Sequence, residues 1–215
     1  MKIGIIGAGN VGSGLGKRLA TSGHELCFSY SRDPAKLDAL VASIGTSARS
    51  GTPEEAARFG EVVLLAMTWT QVPDAIAQIG DAADGKIVWS AVNAVNSTMT
   101  GLAIGTTTSA AEEIARLLPT SNVVEGIPCN AEILHSPSLD FGADRPGAFV
   151  CGDDPQARQI VLSLLSDVGL APTDAGPLVA ARLIEPTGFL IAYLAYAQGM
   201  GGANTAMKLL RRNTA

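Results

Sequence analysis

The first twelve residues constrain this chain most. A short apolar run, Ile3-Gly4-Ile5-Ile6, passes at once into Gly7-Ala8-Gly9-Asn10-Val11-Gly12, and Val11, Leu15 and Leu19 then follow at helical spacing. The expected local structure is a strand that turns sharply into a helix over three glycines. Gly7 permits the tight turn, Gly9 leaves the backbone bare where an anion can approach, and Gly12 lets helix and strand pack closely. Free amides at the start of that helix favour a diphosphate.

The remainder repeats the same grammar. Short runs rich in Val and Ile alternate with amphipathic stretches, the pattern of a parallel sheet covered by helices on both faces. Leu26 to Ser29 reads as a second strand, followed by Asp33-Pro34 as helix cap and first helical residue. Thr52-Pro53-Glu54-Glu55 reads as a capping box, and Val62 to Ala66 as a central strand buried on both faces. Ile87 to Trp89 and Val123-Val124 give further strands, separated by a helix that opens on a second capping box, Ser109 to Glu112. Beyond Val150, Asp154-Pro155 starts a helix that Gly169 ends, and the tail is expected to be mostly helical. From Leu183 to Gly202 that tail is apolar nearly all round, which predicts burial against the first domain and a partner subunit. The expected architecture is α/β, a doubly wound parallel sheet in residues 1–152 with a small, mostly helical domain in residues 153–215.

Composition narrows the class. With 47% hydrophobic and 16% charged residues in 215, the chain can bury a core, and a net charge of -5 gives no general attraction to nucleic acid or acidic lipid. Any phosphate must be captured locally. Three cysteines at irregular spacing offer neither a disulfide framework nor a metal-ligand pattern, so a reducing cytoplasm is expected and no metal. The leading apolar run is shorter than a signal-peptide core, and the longest unbroken one, Phe189 to Ala197, falls below a bilayer span; no membrane partner is expected.

The choice of dinucleotide falls at the end of the second strand, where an acidic residue would accept hydrogen bonds from a free ribose hydroxyl. Here the sequence reads Tyr30-Ser31-Arg32, with Lys36 one helical turn beyond. A hydroxyl and two cations suit a 2′-phosphate, so NADP is preferred over NAD; Asp33 is assigned to capping. Ligands on such sheets lie outside the carboxyl ends of the strands, which selects Ala66, Met67 and Thr68, then Asn93, as cofactor-lining candidates. Pro128, Cys129, Asn130 and His135 are the candidates for a substrate pocket. His24 reads as structural, Cys27 and Cys151 as small buried apolar groups, and the Tyr193 and Tyr196 pair as packing.

These residues resemble a known family. The Gly7 to Gly12 loop, the Tyr30-Ser31-Arg32 turn and the tail segments Val150-Cys151-Gly152-Asp153-Asp154, Asp174-Ala175-Gly176-Pro177-Leu178 and Ala181-Arg182-Leu183-Ile184-Glu185 are similar to those of the coenzyme F₄₂₀-dependent NADP oxidoreductases. The resemblance spans nearly the whole chain. It implies a Rossmann domain with a small carboxy-terminal domain, a homodimer, and hydride transfer between NADP(H) and the deazaflavin F₄₂₀. It also implies cofactor roles for Ala8, Gly9, Asn10, Val11, Ser31, Arg32, Lys36, Met67 and Thr68. After Val124 the sequence departs from the family, with Gly126-Ile127-Pro128-Cys129-Asn130 where members commonly carry a polar His or Asn.

Two other readings share the fold. An NADP-dependent reductase of a flavin or a small carbonyl or imine would need a proton donor for a carbonyl. Between Pro186 and Met200 there is no Lys, His, Asp or Glu, and the polar side chains include Tyr193, Tyr196 and Gln198. A non-catalytic NADP sensor is the third reading. No catalytic side chain is singled out by the sequence.

Overall fold

The structure, a computed structural model, describes residues 1–31, 33–128 and 130–212. Expectations placed on Arg32 and Cys129 lie outside the described residues. Strands β1 (Lys2–Ile6), β2 (Glu25–Ser29), β3 (Ala48–Ser50), β4 (Val62–Leu65), β5 (Ile87–Ser90), β6 (Asn122–Pro128), β7 (Gly147–Gly152) and β8 (Ala171–Asp174) form one sheet in the order β3-β2-β1-β4-β5-β6-β7-β8. Neighbours are parallel except β6 and β7. Strand order reverses between β1 and β4, which opens a crevice at their carboxyl ends.

Residue alternation along the strands builds two cores. Ile3, Ile5, Val62, Leu64, Trp89 and Val124 point to one face, Ile6, Val63, Leu65, Val88 and Val123 to the other. The first is covered by α1 (Asn10–Thr21), α2 (Pro34–Ile44) and α6 (Pro155–Asp167), through residues such as Leu15, Leu19, Leu40, Val161 and Leu165. The second is covered by α3 (Pro53–Phe59), α4 (Val72–Ile79), α5 (Ala110–Leu117) and α7 (Ala181–Ala192), through Ala56, Ile79, Ile114 and Ile184. Val62 to Leu65 are wholly inaccessible, as a central strand buried on both faces requires. The doubly wound α/β architecture is thus the observed one.

Helix starts follow the expected chemistry. Asp33 accepts from the amides of Ala35 (3.1 Å) and Lys36 (3.3 Å), and Asp154 from that of Ala157 (2.6 Å). The Thr52 capping box is complete, Glu55 N to Thr52 Oγ1 at 3.1 Å and Thr52 N to Glu55 Oε2 at 2.8 Å. Gly169, at φ +92°, follows the end of α6. The second box differs. Ser109 caps α5, but the Glu112 carboxylate, instead of reaching back to the Ser109 amide, takes the Ser109 hydroxyl (2.8 Å) and a two-pronged Arg182 guanidinium (2.8 and 2.7 Å). An ion pair to α7 has outcompeted the local bond.

Past residue 152 the chain still adds a strand to the sheet, β8, and a helix that covers it, α6. The helical run Leu178–Ala197, with mean hydropathy 1.5 over its most apolar stretch, is by length and composition able to cross a membrane. Here it packs on α5 and β6. Its expected burial holds on one face, where Ile184, Glu185, Ile191 and Ala195 are buried; Leu183, Leu190, Tyr193 and Tyr196 are exposed in the single chain.

Candidate functional site

Because β1, β2, β4 and β5 run parallel, the loops after them meet along one edge. Gly7, at φ +108°, turns the chain from β1 and donates its amide to Ser29 O on β2 (3.0 Å). A Cβ on Gly7 would lie 2.3 Å from Ala66 O, and one on Gly12 would lie 1.9 Å from Gly7 O, so both are glycine for packing reasons. Gly9 is different. A Cβ there would meet nothing within 4 Å. It is the N-cap of α1, with no side chain capping the helix and no acidic residue in its first turn. The structure therefore offers bare amides and open space where the sequence places a diphosphate, and the residues present fit a dinucleotide.

The flanks of this cradle are built from β2 and β4. Tyr30 adopts φ +59°, unusual for a residue with a side chain, and so redirects the chain at the end of β2. Its hydroxyl donates to Asp74 Oδ2 on α4 (2.6 Å); burial and that carboxylate push the phenol up to about 12. Ser31 lies on the same turn, its hydroxyl bonded to Asp33 O (2.9 Å). Lys36 is exposed one helical turn on, its ammonium 3.9 Å from Asp33. Ala66 adjoins Gly7 and Gly12 and Met67 adjoins Gly7, with Thr68 next in the chain; the Ala66 amide donates to Ile6 O (2.9 Å). The Thr68 hydroxyl donates to Gln71 Oε1 (2.8 Å) and helps set the turn into α4.

Asn93 follows β5. Its Nδ2 donates to the main-chain carbonyl of Glu185 on α7 (2.8 Å), while Oδ1 is buried without a partner. Glu185 was not anticipated as a site residue, nor was Glu125 of β6. Glu185 is buried and its carboxylate accepts from the amides of Ala110 (3.0 Å) and Ala111 (3.2 Å) at the start of α5. Burial outweighs these bonds and raises it to about 7. Glu125 is wholly buried with neither oxygen hydrogen-bonded. Its cross-strand neighbour Ser90 favours ionisation but lies outside hydrogen-bonding geometry; burial and the Glu185 charge hold Glu125 well above the usual carboxylate range. Cys151, opposite Glu125 on β7, is raised as well, by burial first and these carboxylates second.

The substrate candidates occupy a second region. Pro128 ends β6, buried and paired in register with Ala148. Asn130 donates to Gly202 O (2.9 Å) and Thr205 O (3.0 Å) and accepts from Tyr196 Oη (3.1 Å), so its side chain is spent on holding the chain near 202–205. The turn Ala131–His135 folds back onto α1, where His135 Nε2 lies 2.9 Å from Asn10 O in the cofactor loop. His24 joins the amino terminus (3.3 Å) to Asp167 (3.3 Å), a structural link. Cys27 and Cys151 are free and buried. Among the described residues no cluster has the make-up of a metal site.

A doubly wound sheet with a glycine-lined, anion-ready crevice defines a dinucleotide-binding protein of the Rossmann type. Residues 2–94 match the family described as NADP oxidoreductase, coenzyme F₄₂₀-dependent. The F₄₂₀-dependent NADP reductase of Methanocaldococcus jannaschii is 30% identical over 200 residues, 86% of this chain and 88% of that protein. The chain belongs to this family. A solved structure from Arthrobacter sp. FB24, proposed as an F₄₂₀-dependent NADP-reductase, superposes with TM-score 0.84 at 26% identity over 98% of this chain and all of that one. The metalloreductase STEAP3 of Rattus norvegicus is 28% identical over 187 residues, 86% of this chain but 36% of that protein.

Proposed function

We propose that this chain is an NADP(H)-dependent oxidoreductase that passes hydride between NADP(H) and the deazaflavin F₄₂₀. The observation that carries the reading is the cradle at Gly9, open and uncapped at the carboxyl edge of β1, in a chain whose relative of that activity matches it over nearly its full length. When bound, NADPH supplies hydride from its nicotinamide and F₄₂₀ supplies the ring that takes it, with one proton drawn from water to give the reduced deazaflavin and NADP. The protein binds and orients. Amides of Asn10, Val11 and Gly12 hold the diphosphate, Ser31, Arg32 and Lys36 the 2′-phosphate, and Ala66, Met67, Thr68 and Asn93 line the nicotinamide half. Pro128 and Cys129 border the deazaflavin, with Asn130 and His135 shaping that border through their bonds to the chain.

Two ready-made hydride carriers need approach and alignment more than acid-base chemistry. The late helix suits that demand: Tyr196 Oη donates to Glu132 (2.7 Å) and Asn130, and Tyr193 Oη accepts from Gln198 (2.7 Å), so these polar groups are engaged with one another. The exposed residues Leu183, Leu190, Tyr193 and Met200 support a homodimer joined through α7 and the small region 153–215. Stopped-flow mixing of NADPH-loaded protein with F₄₂₀, a flavin and a carbonyl and imine panel tests the assignment. Rapid loss of nicotinamide absorbance with F₄₂₀ is expected; loss with another acceptor alone, or with none, refutes it.

A further inference from the structure

We propose that Glu185 is a positioning residue for hydride transfer, fixing the Asn93 carboxamide at the carboxyl end of β5, while Glu125 beneath it holds the proton of the carboxyl pair. The inference rests on the reading that Asn93 borders the nicotinamide. One residue of α7 ties two pieces of the site: its carboxylate holds the first two amides of α5 and so fixes the turn of α7 whose main-chain carbonyl, which Glu185→Gln leaves in place, holds Asn93 Nδ2. With Nδ2 committed, the Asn93 carboxamide is held in one orientation, its Oδ1 buried without a partner.

Both oxygens of the Glu185 side chain accept from these amides, an arrangement that favours its ionised form over its neutral one. Amides of Ala94, Ala110 and Ala111 all favour that state. Glu125, with no such donors, is the member of the pair that stays neutral; two adjacent buried negative charges without a cation would be prohibitive. The groups facing the pair are Ser90 from β5, Cys151 from β7 with Asp153 just beyond it, and Glu112 from α5, whose charge is taken by Arg182. Among the described residues no Lys, Arg or His bonds either member of the pair, so one proton must remain within it.

The test uses the full chain as wild type, Asn93→Ala, Glu185→Gln and the double variant, titrated with NADPH by nicotinamide fluorescence and assayed with F₄₂₀. Each single change is expected to weaken NADPH binding about 10-fold, and the double variant to be no weaker than either. Single variants that bind like wild type, or a double variant weakened by the product of about 100-fold, overturn the positioning role. If wild type binds NADPH yet reduces no F₄₂₀, the proposed function falls, and the binding cycle still decides the role of Glu185. Infrared spectra of wild type and Glu125→Gln need no Glu185 variant. A protonated-carboxyl stretch at neutral pH that Glu125→Gln removes is expected; its absence from wild type, or its persistence in Glu125→Gln, overturns the assignment of the proton.

Discussion

Replacing Gly9 by alanine separates the cofactor role of the glycine loop from its folding role. At φ -75°, ψ -160° the backbone of Gly9 suits alanine, and the added Cβ meets nothing within 4 Å. The free protein should therefore tolerate Gly9→Ala and even gain about 0.4 to 1 kcal/mol from a less flexible unfolded chain. For a chain of this size that amounts to a rise of roughly 1 to 4 °C in Tm. The bound state is where the methyl group intrudes, between the helix amides and the diphosphate. A charge-assisted hydrogen bond is worth about 1.5 to 3 kcal/mol, so losing one weakens NADPH roughly 10- to 150-fold. Gly12→Ala is the control with the opposite signature. Its Cβ would sit 1.9 Å from Gly7 O, a backbone atom that cannot step aside, and overpacking of that kind costs about 1 to 3 kcal/mol or more. Thermal denaturation and fluorescence titration with NADPH, run on both variants, give the comparison. A Gly9→Ala protein with wild-type Tm that binds NADPH within about twofold of wild type would refute the cradle.

Other outcomes follow from the same structure. Arg32→Ala should weaken NADPH roughly 10- to 100-fold and leave NADH nearly unchanged, by titration with each; equal losses contradict the phosphate role. Glu185 rises from the usual 4.5 to about 7 in the fold and Glu125 moves the same way, so stability is fully present below pH 4.5 and is lost as pH rises through 7. Glu185 alone accounts for about 2 to 3 kcal/mol between pH 5 and pH 8, measurable by urea denaturation; a protein more stable at pH 8 contradicts this. The lowered groups Glu112 and Glu113 act in the opposite sense, present above the usual carboxylate range and lost as pH falls, and so lie outside that window. Trp89→Phe should cost about 1 to 3 kcal/mol, because the buried Trp89 Nε1 donates to Gly126 O at 2.7 Å; an unchanged urea midpoint argues against it.

The sheet's centre was legible because its physics is local. Val62 to Leu65 is apolar at every position, and such a run beside capped helices has few other homes. The edges were not. β3 is Ala-Arg-Ser, half exposed, and β8 contains Pro172 and Thr173; both are strands only because a neighbour offers a free ladder. The antiparallel turn from β6 to β7 depends on a connection without a crossover helix, which no periodicity announces.

At the site, the glycine loop and the cap at Asp33 could be read from spacing. Roles set by long-range contact could not. Asn130 and His135 looked available for substrate, yet their bonds run to Gly202 and Asn10, 72 and 125 residues away. Glu125 and Glu185 were hidden for the same reason, although each is a lone acid in an apolar run, which is the one local sign that a carboxyl group will be buried.

The account stands on direct hydride passage between two carriers held by this chain. NADPH carrying deuterium at the transferred position of the nicotinamide, mixed with F₄₂₀ and the protein in ordinary water, measures it by mass spectrometry of the reduced deazaflavin. Deuterium retained in the product is the expected result; a reduced deazaflavin carrying only solvent hydrogen would contradict the account.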